Sequence, residues 1–144
     1  MSRLLRIVLI VVVLGGLLPA APAAANPGLP TSFCQEVPQP NNEIYLICVP
    51  PNLTDPFDVV VFAHGYVPPG APMNKYYEQL LLSGGQFLPN LVNSLGYAFI
   101  STSYTKNGLA VKEGLADTKR LIDWFKTQPL WTGHIGRVYL IGAS

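Results

Sequence analysis

Two short apolar runs constrain the fold of this chain more than any other feature. Residues 58–63 have the sequence Asp-Val-Val-Val-Phe-Ala and residues 138–141 have the sequence Val-Tyr-Leu-Ile, and each run leads directly into a glycine-containing turn. Continuous apolar runs of this length are typical of strands that are buried on both faces of a parallel sheet. The two runs therefore predict inner strands of a sheet covered by other elements.

Helical patterns alternate with the two apolar runs and with two further predicted strands. We expect strands over residues 44–49 and 97–104, and helices over residues 74–82, 89–95 and 111–126. The last helix has the clearest pattern, and its predicted buried stripe consists of Val111, Leu115, Thr118, Ile122 and Phe125. Alternating strands and helices predict right-handed crossovers, a mainly parallel sheet and helices on its faces.

Composition narrows the class of protein. The 144 residues are 49% hydrophobic and 12% charged, which is too apolar for a disordered chain and too short for more than one ordinary domain. A formal charge of +1 gives no basic face for nucleic acid. The two cysteines and two histidines form no tight cluster, so the sequence predicts no metal site and no cofactor.

The amino terminus has the three parts of a secretory signal peptide. Residues 2–6 are basic, residues 7–18 carry no polar side chain, and three alanines precede a cleavage point before Asn26. An uncleaved membrane anchor is the alternative, but twelve helical residues span only about 18 Å of a ~30 Å hydrocarbon core. We therefore predict a signal peptide over residues 1–25 and a protein that lies outside the cytoplasm, with no membrane association after cleavage.

The segment after the signal peptide is rich in proline and asparagine, and we expect an irregular leader over residues 26–42, followed by the domain over residues 43–144. Cys34 and Cys48 enclose 13 residues, and an exported protein favours a disulfide between them. Closing such a loop stabilises the fold by about 3 kcal/mol in the chain-entropy model. Cys48 as a small buried hydrophobic residue on a strand is the alternative.

Chemistry-bearing residues follow both apolar runs. His64, Gly65 and Tyr66 come directly after the first run, and Gly142, an alanine and Ser144 follow the second. The second group has the first three positions of Gly-x-Ser-x-Gly, a tight strand-to-helix turn that exposes a serine hydroxyl above a sheet. Active groups of open α/β sheets gather beyond the carboxyl ends of the strands.

In this order and spacing, residues 44–144 resemble the α/β-hydrolase family, and most of all its secreted bacterial esterases, lipases and serine peptidases. The resemblance implies an α/β-hydrolase-type, mainly parallel sheet with helices on both faces, of which this chain is the amino-terminal portion. It also implies that Ser144 is the nucleophile that attacks an ester or amide carbonyl. The backbone N–H of Tyr66 would be one oxyanion-hole donor, in a loop shaped by His64 and Gly65, and Gly142 would belong to the turn that carries the serine.

Other candidates fit catalysis less well. His64 precedes Ser144, whereas the base of this family follows its serine in chain order, so we interpret His64 as a loop-shaping residue. His134 is expected to be an exposed loop residue, and Asp117 and Asp123 to lie on the solvated side of a helix, where neither fits a triad acid. The two tryptophans are expected to be packing residues.

Ser144 is the last residue of the sequence, and the family's acid and histidine come later in the chain. We therefore expect this sequence to be the amino-terminal piece of a longer hydrolase, inactive and poorly stable by itself, whose substrate is a small-molecule ester or a peptide. Two alternatives remain: a secreted binding protein without catalysis, and a surface protein tethered by an uncleaved amino terminus.

Overall fold

The computed structural model describes residues 33–143. The predicted signal peptide, the first part of the predicted leader and Ser144 lie outside the described residues.

The described residues form one five-stranded sheet. Its strands are β1 (Cys34–Pro38), β2 (Ile44–Cys48), β3 (Phe57–Ala63), β4 (Ala98–Thr102) and β5 (Ile135–Gly142). Their spatial order is β1-β2-β4-β3-β5. β3 pairs in parallel with both β4 and β5, whereas β2 is antiparallel to both β1 and β4.

The predicted fold class, an α/β-hydrolase-type and mainly parallel sheet, is therefore wrong: the sheet is small and mixed. The error has a physical cause. Crossovers were inferred from alternating strands and helices, but a short connection over residues 39–43 joins β1 to β2 and reverses the chain, which makes the two strands antiparallel. β1 was not predicted at all, and the segment expected to be an irregular leader contains this strand.

Three helical segments accompany the sheet within the described residues: a 3₁₀ helix (Met73–Leu80), α1 (Leu88–Ser94) and α2 (Val111–Thr127). α1 begins with a proline in its first turn and ends just before Gly96, whose φ of 86° is a left-handed conformation that suits glycine. None of the helices formed by residues 33–143 combines the length and hydrophobicity needed to span a bilayer.

α2 has the predicted position, and its predicted buried stripe is right in part: Thr118 and Phe125 are buried, as expected. Val111 and Leu115, both expected inside, are each 74% exposed. The buried residues of α2 are Gly114, Asp117, Thr118, Leu121 and Phe125. The spacing of apolar residues does not predict this face, because Gly114 and Asp117, which are not large apolar residues, are part of it.

Side chains alternate between two hydrophobic clusters along the strands, as expected for a pleated sheet. The cluster that includes residues of α1 and the 3₁₀ helix contains Leu46, Phe62, Tyr76, Tyr77, Leu80, Val92 and Phe99. The cluster that includes residues of α2 contains Tyr45, Ile47, Val59, Val61, Ile100, Leu121 and Phe125. β2, β3 and β4 contribute to both clusters, and every residue of β4 is buried.

The predicted disulfide between Cys34 and Cys48 is confirmed. The two residues are directly opposite each other in the β1–β2 register, with their Cα atoms 4.0 Å apart. Both are buried. The bond therefore fastens the edge strand β1 to the body of the sheet.

Candidate functional site

β3 and β5 end side by side at one edge of the sheet. Ala63, the last residue of β3, is in register with Gly142, the last residue of β5. The Ala143 N–H donates a hydrogen bond of 3.1 Å to the Ala63 carbonyl and extends the pairing by one residue. The start of the loop after β3 and the backbone of Ala143 therefore lie next to each other at this edge.

Gly65 packs against the chain that leaves β5. A Cβ added at this position would lie 3.1 Å from the carbonyl oxygen of Ala143 and 3.6 Å from its carbonyl carbon. Only a residue without a side chain fits this approach comfortably. Ser144, the predicted nucleophile, lies outside the described residues.

Gln79, on the 3₁₀ helix, holds the loop after β3. Its Oε1 accepts a hydrogen bond of 2.6 Å from the Gly65 N–H, and its Nε2 donates one of 3.0 Å to the Tyr66 carbonyl. Within residues 33–143 the Tyr66 N–H, the predicted oxyanion donor, has no acceptor. The Tyr66 side chain is 61% exposed. Sequence reasoning missed Gln79, because no motif links it to a loop 13 residues earlier.

His64 is buried between two tyrosine rings. Its ring centroid lies 3.9 Å from that of Tyr104 and 4.6 Å from that of Tyr76, with all three rings nearly parallel. Its Nδ1 lies 2.7 Å from the Gly65 carbonyl oxygen, and its Nε2 has no partner among the described residues. Burial lowers the pKa of His64, although the carbonyls of Gly65 and Ser103 oppose the shift. These contacts tie the His64 ring to Tyr76, to Tyr104 and to the backbone of Gly65.

Tyr104 is a second residue that the sequence did not identify. It follows β4 at the same edge, and its φ of 59° is left-handed, a strained conformation for a bulky residue. Its hydroxyl donates to the His64 carbonyl at 3.2 Å. Its ring lies against α2 at Gly114, where an added Cβ would be 3.0 Å from two ring carbons. Tyr104 thus links three elements beneath the loop after β3.

A cavity of about 450 Å³ opens at this edge. Its floor comes from the ends of β3 and β5, and one wall comes from the start of α2 and the loop before it. Its lining includes the loop residues His64, Gly65 and Tyr66, the Tyr104 ring and Ala143. The exposed apolar side chains elsewhere in the lining are Leu109, Val111, Leu115 and Leu140. None of the lining side chains carries a carboxylate, an ammonium or a guanidinium group.

The buried carboxylates lie elsewhere and already have partners. Asp117, expected on the solvated side of α2, is buried and accepts hydrogen bonds from the N–H and hydroxyl of Thr105 at 2.7 and 2.9 Å. Arg120 bridges Asp117 to Glu43, and hydrogen bonds to Glu43 raise the pKa of Arg120 above its usual value. This network fastens α2 to the turn before β2. The expected solvated position of Asp117 is therefore wrong, because its carboxylate is buried and paired.

The remaining candidates lie away from the strand ends. Asp123 is exposed and pairs with Lys119 at 2.5 Å. His134 lies just before β5, at the opposite end of that strand from Gly142, and its Nδ1 is 3.0 Å from Asp55 Oδ2.

Both tryptophans pack against aromatic rings. The Trp124 ring centroid is 5.2 Å from that of Tyr45, and the Trp131 ring stacks on Phe125 at 4.5 Å. Trp131 also lines a second cavity of about 550 Å³ at the far end of the strands, which includes none of the residues that follow β3 or β5.

In the part of the chain that the structure describes, no three His, Cys, Asp or Glu side chains come together to hold a metal ion. Comparison of the sequence with models of protein families gives no match. A search of curated proteins likewise gives no significant match.

Proposed function

We propose that this chain supplies the nucleophile and one oxyanion donor of a serine hydrolase that acts on ester or amide bonds. Ser144 is the nucleophile, and the Tyr66 N–H stabilises the negative charge that develops on the carbonyl oxygen. The observation that carries the proposal is the contact between Gly65 and the Ala143 carbonyl. It supports a serine hydroxyl and the donor loop acting on the same carbonyl group.

The arrangement of the donor loop adds support. Gln79 occupies the Gly65 N–H, whereas the Tyr66 N–H has no acceptor among the described residues. Gln79 accepts the Gly65 N–H and donates to the Tyr66 carbonyl, and these two groups flank the Gly65–Tyr66 peptide bond. The loop therefore keeps its shape without a substrate. Preorganised donors of this kind cost no reorganisation during the reaction.

Neither histidine of the sequence is suited to be the general base. His64 is enclosed by two tyrosine rings, and His134 lies at the other end of an eight-residue strand, about 26 Å away at roughly 3.3 Å per residue. The proposal therefore assigns proton transfer to a histidine outside residues 33–143. Without that base the serine hydroxyl is a weak nucleophile, and residues 33–143 with Ser144 alone should be inactive.

The test uses the full-length product of the reading frame that encodes this sequence. We expect it to hydrolyse p-nitrophenyl acetate or a peptide p-nitroanilide, and Ser144→Ala to lower kcat by at least a thousandfold. Ser94→Ala, at an exposed serine on α1, is the matched control and should leave kcat unchanged. Equal activity of Ser144→Ala and the wild type would contradict the proposal.

A location outside the cytoplasm belongs to the same proposal. The Cys34–Cys48 disulfide supports it, because such bonds persist in oxidising compartments. The mass of the protein recovered from its native source tests it: a chain that begins at Asn26 is expected, and a chain that retains residues 1–25 would contradict it.

A further inference from the structure

Exposed apolar side chains are concentrated around the strand-end cavity. In the described part of the chain, eleven large hydrophobic residues are exposed, and five of them line this one cavity: Tyr66, Leu109, Val111, Leu115 and Leu140. Single exposed apolar residues need no explanation, but a contiguous group around a cavity marks a binding surface.

We propose that this cavity selects esters or amides in which a group next to the scissile bond is uncharged and apolar, and that Leu109, Val111 and Leu115 determine that selectivity. The inference rests on the proposed function, since it takes the carbonyl to lie between Ser144 and Tyr66. Gly65, Ala143 and the three apolar side chains line the same cavity.

Charge argues for an uncharged occupant. No lining side chain carries a carboxylate, ammonium or guanidinium group to neutralise an opposite charge on the substrate, so a charged group would lose hydration that the few hydroxyls of the lining do not replace. Glu113 lies close in sequence to the wall but does not line the cavity, and its carboxylate pairs with Lys106 at 2.6 Å. Burying each methylene of the substrate against this wall instead raises affinity about fourfold, the equivalent of ~0.8 kcal/mol.

The apolar wall is held by the same contacts that build the site. Leu115 directly follows Gly114, where the Tyr104 ring rests, and Leu109 follows Gly108, whose N–H donates to the Val67 carbonyl at 2.7 Å. The wall therefore has a fixed position relative to the loop after β3. A wall with a fixed position favours substrate groups of a suitable length and polarity. Substrates that differ in chain length or charge should therefore differ in kcat/KM.

The experiment measures hydrolysis of two series of esters by the full-length product. The acyl series is p-nitrophenyl acetate, butyrate and hexanoate, with the singly charged p-nitrophenyl hemiglutarate for comparison. The alcohol series is the acetate esters of methanol and hexanol. One of the two series, acyl or alcohol, should show kcat/KM rising about fourfold per methylene, and the hemiglutarate should be at least tenfold poorer than the butyrate. Leu115→Lys should remove the dependence on length, whereas Leu95→Lys, at an exposed leucine beside α1, should not.

Binding separates this inference from the proposed hydrolase activity. In Ser144→Ala, methyl hexanoate should displace the neutral dye N-phenyl-1-naphthylamine at lower concentration than methyl acetate, and Leu115→Lys should weaken dye binding at least tenfold. Length-dependent binding without hydrolysis by the wild type would support the apolar site and overturn the hydrolase. Hydrolysis that is indifferent to chain length, to charge and to Leu115→Lys would overturn the apolar site and leave the hydrolase intact.

Discussion

Gly65 lies against the carbonyl group of Ala143, so that a Cβ on residue 65 would be 3.1 Å from the Ala143 oxygen. The same Cβ would be 3.2 Å from Gln79 Oε1, which already accepts the Gly65 N–H. A side chain at position 65 would thus be crowded by two groups, the Ala143 carbonyl and the Gln79 side-chain amide. Its φ is not in the left-handed region, so the need for glycine comes from space alone.

Gly65→Ala should therefore lower the free energy of unfolding by about 1–3 kcal/mol, the usual cost of an extra carbon in a filled site. Gly142→Ala is the matched control, because its Cβ would meet the Ala63 carbonyl at an ordinary 3.5 Å. Urea denaturation followed by tyrosine and tryptophan fluorescence measures both. Equal stability of the two variants would contradict the close contact at position 65.

Gly114→Ala tests the contact between α2 and Tyr104. In a helix this substitution normally stabilises by about 1 kcal/mol, but here the new carbon would lie 3.0 Å from two carbons of the Tyr104 ring. We expect a net loss of about 1–2 kcal/mol of stability. In a Tyr104→Ala background the same substitution should become stabilising. A double-mutant cycle from denaturant unfolding measures the coupling, and the absence of any coupling would rule out the contact.

His64 predicts a dependence of stability on pH. Burial lowers its folded-state pKa, so as the pH falls below about 6.5 the unfolded chain takes up a proton that the folded chain does not. The free energy of unfolding should then decrease, by at most about 1.4 kcal/mol per pH unit, until the lowered pKa is reached.

His64→Phe, which keeps a ring between the two tyrosines, should remove this component of the pH dependence. His134→Gln changes the other histidine, whose ring is half exposed and lies far from the strand ends, and should leave the component in place. Urea unfolding at pH 5.0, 6.0, 7.0 and 8.0 provides the comparison. If the slope survives in His64→Phe, another group is responsible for it.

The disulfide gives a prediction about the edge strand. Replacing both Cys34 and Cys48 with alanine should lower stability by about 3 kcal/mol, because the unfolded chain loses a closed loop. Dithiothreitol should destabilise the wild type by a similar amount and leave the double variant unaffected. A wild type that is equally stable with and without the reductant would contradict a structural role for the bond.

Sequence reasoning found the elements whose own residues determine them. The apolar runs predicted the strands β3 and β5, the proline and glycine boundaries predicted α1, and the helical pattern predicted α2 within a residue or two. The expectation that β5 is a buried inner strand is wrong for the described residues, in which β5 lies at the edge of the sheet and most of its side chains are exposed. The disulfide partners followed from there being only two cysteines in a chain with a predicted export signal. The turns after β3 and β5 were recognised as neighbours because parallel strands end at the same edge.

The parts that failed depend on contacts between distant residues. The strand order and the antiparallel half of the sheet follow from which strands pair, and local pattern does not determine that. β1 is a strand because it pairs with β2 and is bonded to it through Cys34, although its sequence is polar and ends in proline. Gln79 and Tyr104 reach the site only through the folded chain, and the buried face of α2 is set by Tyr104 and Arg120.

The most direct test of the proposed nucleophile is covalent labelling of the full-length product with a fluorophosphonate, followed by peptide mass spectrometry. The phosphonyl group should be found on Ser144, and Tyr66→Pro, which removes the backbone N–H, should slow labelling by about a hundredfold or more. A folded protein that remains unlabelled, or one that carries the phosphonyl group on a different residue, would contradict the account.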